Sequence, residues 1–435
     1  MGKQYMVYMV QANLNFRRAE LESLADLNNI TINFDTYTED SPFFILELEN
    51  DQQAKDWIKR SILTKAIYEY WGQGGTLEEL HTCIKSQEFF GSYKQLYRDD
   101  SFKFEFDSFR GYGNGKFDRV KQIESFQYLD FQGKIRMKNA QQVYTIIEQY
   151  QPVSDNIPGT YPIKFYFGRL VQVSDRAAAD KYDLKKRPYK GTTSFEAELS
   201  LVSANIAQVR PGTVMYDPFA GTGSFLVAGG HYGALAIGSD IDGRMIRGKG
   251  ASASINMNFK KYGESERFLD VITMDFTHNA LRSNMKLDTI LCDPPYGIRE
   301  SIKVLGAKNP ERFVGKENVE IDGQKAFLLR DYVPTKKPYS LDALLDDLLQ
   351  YTTERVPIGG RLAFWMPTAN DENIETIVPT HSNLELKYNC VQEFNKWSRR
   401  LLVYINRGAD YNGPSNSGIH RSSANFRERY FKHFN

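Results

Sequence analysis

Apolar and polar positions follow two different periods along the first 175 residues. Residues 5–10 and 42–48 read as strands, and 15–25 carries helical spacing with Ala19, Leu21, Leu24 and Ala25 on one face. Residues 51–60 follow as a helix, with Asp51 as its expected cap. Phe102-Lys103-Phe104-Glu105-Phe106 alternates strictly, which predicts a half-buried strand. A glycine-rich turn at 111–115, a helix over about 119–129, further helix at 144–149 and a strand at 163–170 complete this stretch.

From Gly212 the pattern changes to strand, loop, helix, repeated. Strands are expected at 213–218, 234–240, 268–274, 288–292, 360–366, 384–393 and 400–406, with helices between the first five. Apolar strands alternating with helices imply a mostly parallel sheet covered on both faces. Residues 394–399 are too few for a helical crossover, so the last two strands should form a hairpin and add an antiparallel strand. The irregular segment 298–339 reads as a lid or an RNA-contact loop.

At 435 residues the chain has room for two or three domains. Its formal net charge of +1 hides an asymmetry. Residues 1–100 carry 10 basic and 16 acidic side chains, and the remainder carries 45 and 38. Any nucleic-acid contact is therefore expected after residue 100. The densest basic run, Lys181, Lys185, Lys186, Arg187 and Lys190, joins the two halves and is a candidate RNA contact, with a solvated linker as the equal alternative. The tail residues Arg421, Arg427, Arg429 and Lys432 are a further candidate of the same kind, with a disordered solvated tail as the equal alternative.

Only three cysteines occur, Cys83, Cys292 and Cys390, far apart and odd in number. Neither a disulfide framework nor a zinc site is indicated, and the expectation is no metal. Sparse thiols fit a reducing compartment. The N-terminus lacks a long apolar run, so neither a signal peptide nor a membrane span is expected, and a cytoplasmic location follows.

Four motifs carry the chemistry. Asp217-Pro218-Phe219-Ala220-Gly221-Thr222-Gly223 lies between a strand and a helix, where the glycines let backbone approach a ligand. It has neither the Gly-Lys-Ser/Thr of a P-loop nor a third glycine at 226, which is Leu. Asp240 ends the next strand, about twenty residues on, and suits a ribose diol, while Asp242 reads as a helix cap. Asp275, followed by Phe276, ends the third strand and could accept from an adenine amino group. Alone it would more often cap a helix, but within the series the ligand role is preferred. The fourth motif is Asp293-Pro294-Pro295-Tyr296-Gly297, after the fourth strand. Tandem prolines remove two N–H donors, so carbonyls and the Asp293 carboxylate face outward as acceptors for an exocyclic amine. Tyr296 offers an aromatic face for stacking. Cys292 reads as a buried strand residue rather than a nucleophile.

These residues resemble the motifs of class I S-adenosylmethionine-dependent amino-methyltransferases. Residues 182–435, with Lys186-Arg187-Pro188-Tyr189-Lys190-Gly191-Thr192-Thr193-Ser194-Phe195-Glu196-Ala197 ahead of the cofactor motifs, resemble the family that modifies guanine N2 in tRNA, at position 10 in eukaryotes. The resemblance implies an α/β fold: a C-terminal Rossmann-like methyltransferase with a seven-stranded mixed sheet and antiparallel last strand. It also implies a ferredoxin-like domain over 1–100, a THUMP RNA-binding domain over 101–178, a connector over 179–211 and the methyltransferase over 212–435. Asp217, Pro218, Phe219, Gly221, Thr222, Gly223, Asp240, Asp275, Phe276 and Asp293 would hold S-adenosylmethionine. Asp293, Pro294, Pro295 and Tyr296 would orient the guanine amine. The family's catalytic subunit works with a small zinc-binding activator shared among methyltransferases, which would pair with the edge strand 268–276. The alternatives are amino-methylation of another RNA or DNA base or of a protein glutamine, and a binding protein that keeps a relic cofactor fold.

Overall fold

The computed structural model describes residues 2–87, 90–111, 118–152, 157, 159–297, 302–312, 314, 319–329 and 332–421. The chain divides into two compact units. One comprises Met1–Arg17 and Ala25–Arg176, and the other Arg18–Leu24 and Ala177–Asn435.

The first unit is built on one six-stranded sheet, in the order β2-β1-β3-β6-β5-β4. Its strands are β1 (Lys3–Met9), β2 (Phe43–Leu48), β3 (Thr64–Gly74), β4 (Phe102–Phe109), β5 (Gln142–Tyr150) and β6 (Pro162–Val173). Helices α1 (Leu14–Leu27), α2 (Asp51–Ile58), α3 (Leu77–Ser86), α4 (Phe90–Leu96) and α5 (Arg119–Glu124) lie between them. The sheet runs across the expected division at residue 100, because β3 pairs antiparallel with β6, from Ala66 opposite Val173 to Gly74 opposite Phe165.

Residues 144–149, expected to be helical, are the middle of β5. Both faces of this strand are covered, since Tyr144, Ile146 and Ile147 are all fully buried. A strand buried on both sides loses the alternation that marks a half-exposed one. The cap of α2 also differs from expectation. Asn50, not Asp51, accepts the Gln53 amide. Asp51 is instead drawn to Arg169 and Tyr5, and Arg169 also donates from Nε to buried Glu69 at 2.8 Å. The expected turn at 111–115 lies almost wholly outside the described residues.

In the second unit a seven-stranded sheet has the order β16-β17-β15-β10-β7-β8-β9. Its strands are β7 (Val214–Asp217), β8 (Leu235–Asp240), β9 (Phe268–Thr273), β10 (Thr289–Cys292), β15 (Arg361–Ala369), β16 (Leu384–Glu393) and β17 (Trp397–Asn406). Short strands β11 (Lys303–Leu305) and β14 (Lys336–Pro338) pair with each other inside the irregular segment, as do β12 (Glu320–Ile321) and β13 (Gln324–Lys325). β17 runs antiparallel to both β15 and β16, as the short 394–399 connection requires. Helices α6 (Ala177–Lys181), α7 (Ala197–Ile206), α8 (Ser224–His231), α9 (Gly243–Arg247), α10 (Ile255–Tyr262), α11 (Leu341–Arg355) and α12 (Ile374–Ile377) complete the unit. Between β9 and β10, where a helix was expected, one 3-10 turn at Phe276–His278 suffices.

α11 shows how local sequence fixes an element. Ser340 caps it by accepting the Ala343 amide, and Leu341, Leu344, Leu345, Leu348 and Leu349 recur at helical spacing and are buried. Each such leucine contributes about 1.5–3 kcal/mol by burial. Arg421 is 2 % exposed and clamped to this helix by Asp342 and Asp346. That corrects its reading as a surface RNA contact. Arg427, Arg429 and Lys432 lie outside the described residues.

The segment Arg18–Leu24 counts with the second unit. Glu20 accepts from Asn205 Nδ2 at 2.7 Å, and Ser23 Oγ accepts from Arg361 Nη1 at 2.9 Å.

Candidate active site at the carboxyl edge of the sheet

The motifs converge because β7, β8, β9 and β10 are neighbours and parallel, so their carboxyl ends open on one side. This edge is where open α/β sheets bind ligands.

After β7 the backbone turns through Gly221 at φ +51° and Gly223 at φ +80°, and α8 begins at Ser224. A Cβ on Gly223 would sit 2.9 Å from Ile255 Cγ2. The loop is tied to β8: the Gly221 amide donates to Asp240 Oδ2 at 2.9 Å, and the Ala220 amide to the Ser239 carbonyl at 2.8 Å. Pro218 is buried and its carbonyl accepts from Ser239 Oγ at 3.3 Å. Asp217 is buried and accepts the Phe219 amide. Phe219 and Phe276 lie with ring centroids 5.5 Å apart.

A second layer fixes this loop from the segment ahead of α7. Ser194 Oγ meets Thr222 Oγ1 at 2.7 Å, and Ser224 Oγ accepts from both the Phe195 amide and Arg187 Nη1 at 3.1 Å. Asn258 accepts the Tyr189 amide and returns a bond to the Tyr189 carbonyl. These serines and Asn258 were given no role from the sequence, although the string 186–197 that holds Ser194 was the signal. Arg187 is corrected here: it is 4 % exposed and serves the loop. Lys181, Lys185, Lys186 and Lys190 remain exposed.

Asp240 also accepts the Asp242 amide, and Asp242 caps α9 by accepting the Arg244 amide. Asp275 is 3 % exposed and acts as a cap. Its Oδ1 accepts the Thr277 amide, and its Oδ2 accepts the Leu305 amide at 2.7 Å and faces His278. The sequence preferred a ligand role for Asp275. In the structure its carboxylate is committed to the chain, and it anchors β11 beside the site.

Asp293 follows Cys292 at the end of β10, with Pro294 buried and Pro295 exposed. The Tyr296 hydroxyl donates to Asp293 Oδ1, so the tyrosine folds back on the motif. Burial pushes the Asp293 carboxyl up to about 6, against the Tyr296 hydrogen bond and the positive charge of Arg399. Burial also raises Asp217 well above the carboxylate range, and Asp240 and Asp293 add to that repulsion. Asp240 is raised by burial as well. Cys292 is fully buried and its thiol is pushed well up by burial, which makes it inert as a nucleophile. Among the described residues, no three His, Cys, Asp or Glu side chains are grouped to hold a metal ion.

A glycine turn after the first strand, acids ending the first, second and fourth, and Asp-Pro-Pro-Tyr beyond the fourth define a class I methyltransferase built for an amino nitrogen. Known proteins agree. A family described as the Tmrp11 THUMP N-terminal domain matches residues 3–176, and one described as an RMKL-like methyltransferase domain matches 185–306. The tRNA (guanine(10)-N(2))-methyltransferase of Saccharomyces cerevisiae is 73% identical over 100% of both chains. Its Schizosaccharomyces pombe counterpart is 34% identical over 98% of this chain and 96% of its own. The Homo sapiens protein of that name, TRMT11, is 32% identical over 98% of this chain and 95% of its own. The chain belongs to the tRNA (guanine(10)-N(2))-methyltransferases.

Proposed function

We propose that this chain transfers a methyl group from S-adenosylmethionine to the exocyclic N2 of guanosine 10 in tRNA. The observation that carries the reading is Asp293, set with Pro294, Pro295 and Tyr296 at the carboxyl end of β10.

The site fits that cofactor chemically. Asp217, Asp240 and Asp293 gather three carboxyls at one edge, a donor set complementary to positive charge. S-adenosylmethionine carries both a sulfonium and an ammonium. Asp240 would take the ribose hydroxyls, Gly221 and Gly223 give close backbone approach, and Phe219 and Phe276 offer apolar faces. The bound group supplies an electrophilic methyl.

The protein's own contribution is orientation and charge. The guanine amino lone pair is delocalised into the ring. Asp293 and the Pro294 carbonyl accept its two hydrogens, which favours a tetrahedral nitrogen with its lone pair directed at the methyl. Asp293 stabilises the positive charge that develops on nitrogen and accepts the released proton. Tyr296 stacks on the base. The target must leave its stack to reach this pocket. Lys181, Lys185, Lys186 and Lys190 contact tRNA phosphates, and the N-terminal unit helps to hold the tRNA.

The reading includes a small zinc-binding activator on β9, which is the edge of the sheet and exposes Leu269 at 46 %. It also includes a cytoplasmic site of action, which the small number of cysteines in the chain favours. No helix among the described residues is long and apolar enough to cross a membrane.

The test is methylation of unmodified tRNA with labelled cofactor, with and without the activator, followed by nucleoside digestion. Label in N2-methylguanosine at position 10 is expected. Label in N6-methyladenosine, or none even with the activator present, would overturn the reading.

A further inference from the structure

We propose that Arg399 is a positioning residue for the reaction, a fixed positive charge that holds the Asp293–Tyr296 pair ready to receive the guanine amine. The inference rests on the proposed function and deepens it.

Arg399 lies near the start of β17, opposite Pro367 of β15, while Phe364 of β15 stands beside Cys292 of β10. It is therefore at the same end of the sheet as Asp293. Its guanidinium is locked from several directions. Nε donates to Gln392 Oε1 of β16 at 2.9 Å, and Nη2 donates to Glu196 Oε1 ahead of α7 at 3.0 Å. The guanidinium carbon lies 4.3 Å from the Phe195 ring centroid and 5.2 Å from that of Trp365. Only 18 % of the side chain is exposed. A solvated surface arginine needs none of this. Arg400, the next residue, turns elsewhere and bonds Thr368 and Asn389.

The lock serves an electrostatic purpose. The ionised Asp293 is the stronger acceptor for an amine hydrogen and the form that offsets positive charge on nitrogen, yet burial favours its neutral form. Tyr296 and Arg399 bear on Asp293, whose own charge in turn raises Asp217 and the Cys292 thiol. Of these Arg399 is the cation, and with the Tyr296 hydroxyl it opposes the effect of burial. Loss of its charge should make Asp293 harder to ionise.

The experiment is the pH profile of kcat/KM for tRNA, with saturating cofactor and the activator present, for the wild-type chain and for Arg399→Gln, Arg399→Lys and Glu196→Gln. The wild-type acid limb is expected near pH 6. Arg399→Gln should move it up by about one pH unit, the usual scale for losing a neighbouring opposite charge. Its deficit should be about fivefold at pH 6, approach about tenfold well below that pH, and shrink above pH 8. Arg399→Lys keeps the charge and should keep the limb, with a lower plateau. Glu196→Gln leaves Arg399 present but less fixed, and should lower the plateau without moving the limb upward. A merely structural Arg399 would depress the rate equally at every pH. An unmoved limb in Arg399→Gln would overturn the proposal. If that variant does not fold, an Arg399→Lys limb displaced upward would do so instead. Failure of the wild-type chain to methylate guanosine would strike the proposed function, not this inference.

Discussion

Asp293 carries the residue-scale consequences. Asp293→Ala should cut methyl incorporation into tRNA by at least about 10²–10³, the scale of losing a positioned polar group in a transition state. Cofactor affinity, read by equilibrium dialysis, should change little. Retained activity would sink the mechanism. The wild-type rate should fall as pH drops through about 6, because the carboxyl is raised and protonation removes the charge that stabilises the developing cation and takes up its proton. Above that pH the ionised form persists and the rate should level off. Sequence spacing put Asp217, Asp240 and Asp293 at strand ends, and each lies at the carboxyl edge of the sheet. It could not say that Asp275 is occupied by its own chain, since the Leu305 amide that claims it arrives from 30 residues away. Arg187 and Arg421 were misplaced for a related reason. A run of basic residues reads as surface until a partner such as Ser224 or Asp342 is seen.

Two elements make claims that can be checked separately from the chemistry. The turn into α8 depends on Gly223, whose φ of +80° and tight approach to Ile255 both oppose a side chain. Gly223→Ala should cost about 1–2 kcal/mol from backbone strain alone, more if Ile255 cannot yield. The check is a lower denaturation midpoint together with weaker cofactor binding. At β9, Leu269→Arg places a charge on an exposed edge. Such charges block strand addition. Under the activator hypothesis, co-purification of the activator should drop while the variant alone becomes more soluble. Unchanged capture would remove β9 from the interface. The parallel strands were legible as apolar runs between helices, and the final hairpin followed from a short connection. β5 was not legible, because full burial erased its period. Its Val143, Thr145, Ile146 and Ile147 still favoured a strand by side-chain shape.

At the scale of the molecule, the change of pattern near residue 212 marked where the alternating strands and helices of the second sheet begin. The boundary between the compact units falls at 176/177, with one exception in α1. A C-terminal fragment beginning at 177 would keep every motif of the active site and lose Arg18–Leu24. Asn205 and Arg361 would then lose the acceptors on Glu20 and Ser23. Arg361 keeps its bond to the Ile206 carbonyl, and each hydrogen bond lost contributes about 0.5–1.5 kcal/mol. The fragment should therefore unfold at lower denaturant than the same unit within the full chain. Equal midpoints, measured by a probe of the second unit, would show that this segment is dispensable.

The same segment has a consequence in time. Ser23 and Arg361 are 338 residues apart in the chain. At a synthesis rate of about 5–20 residues per second, Ser23 waits roughly 20–70 s for its partner to be made. The catalytic unit therefore contains a piece from the first moments of translation and cannot be completed until near the end. A ribosome that pauses late leaves a nascent chain with every cofactor motif already made and no finished enzyme.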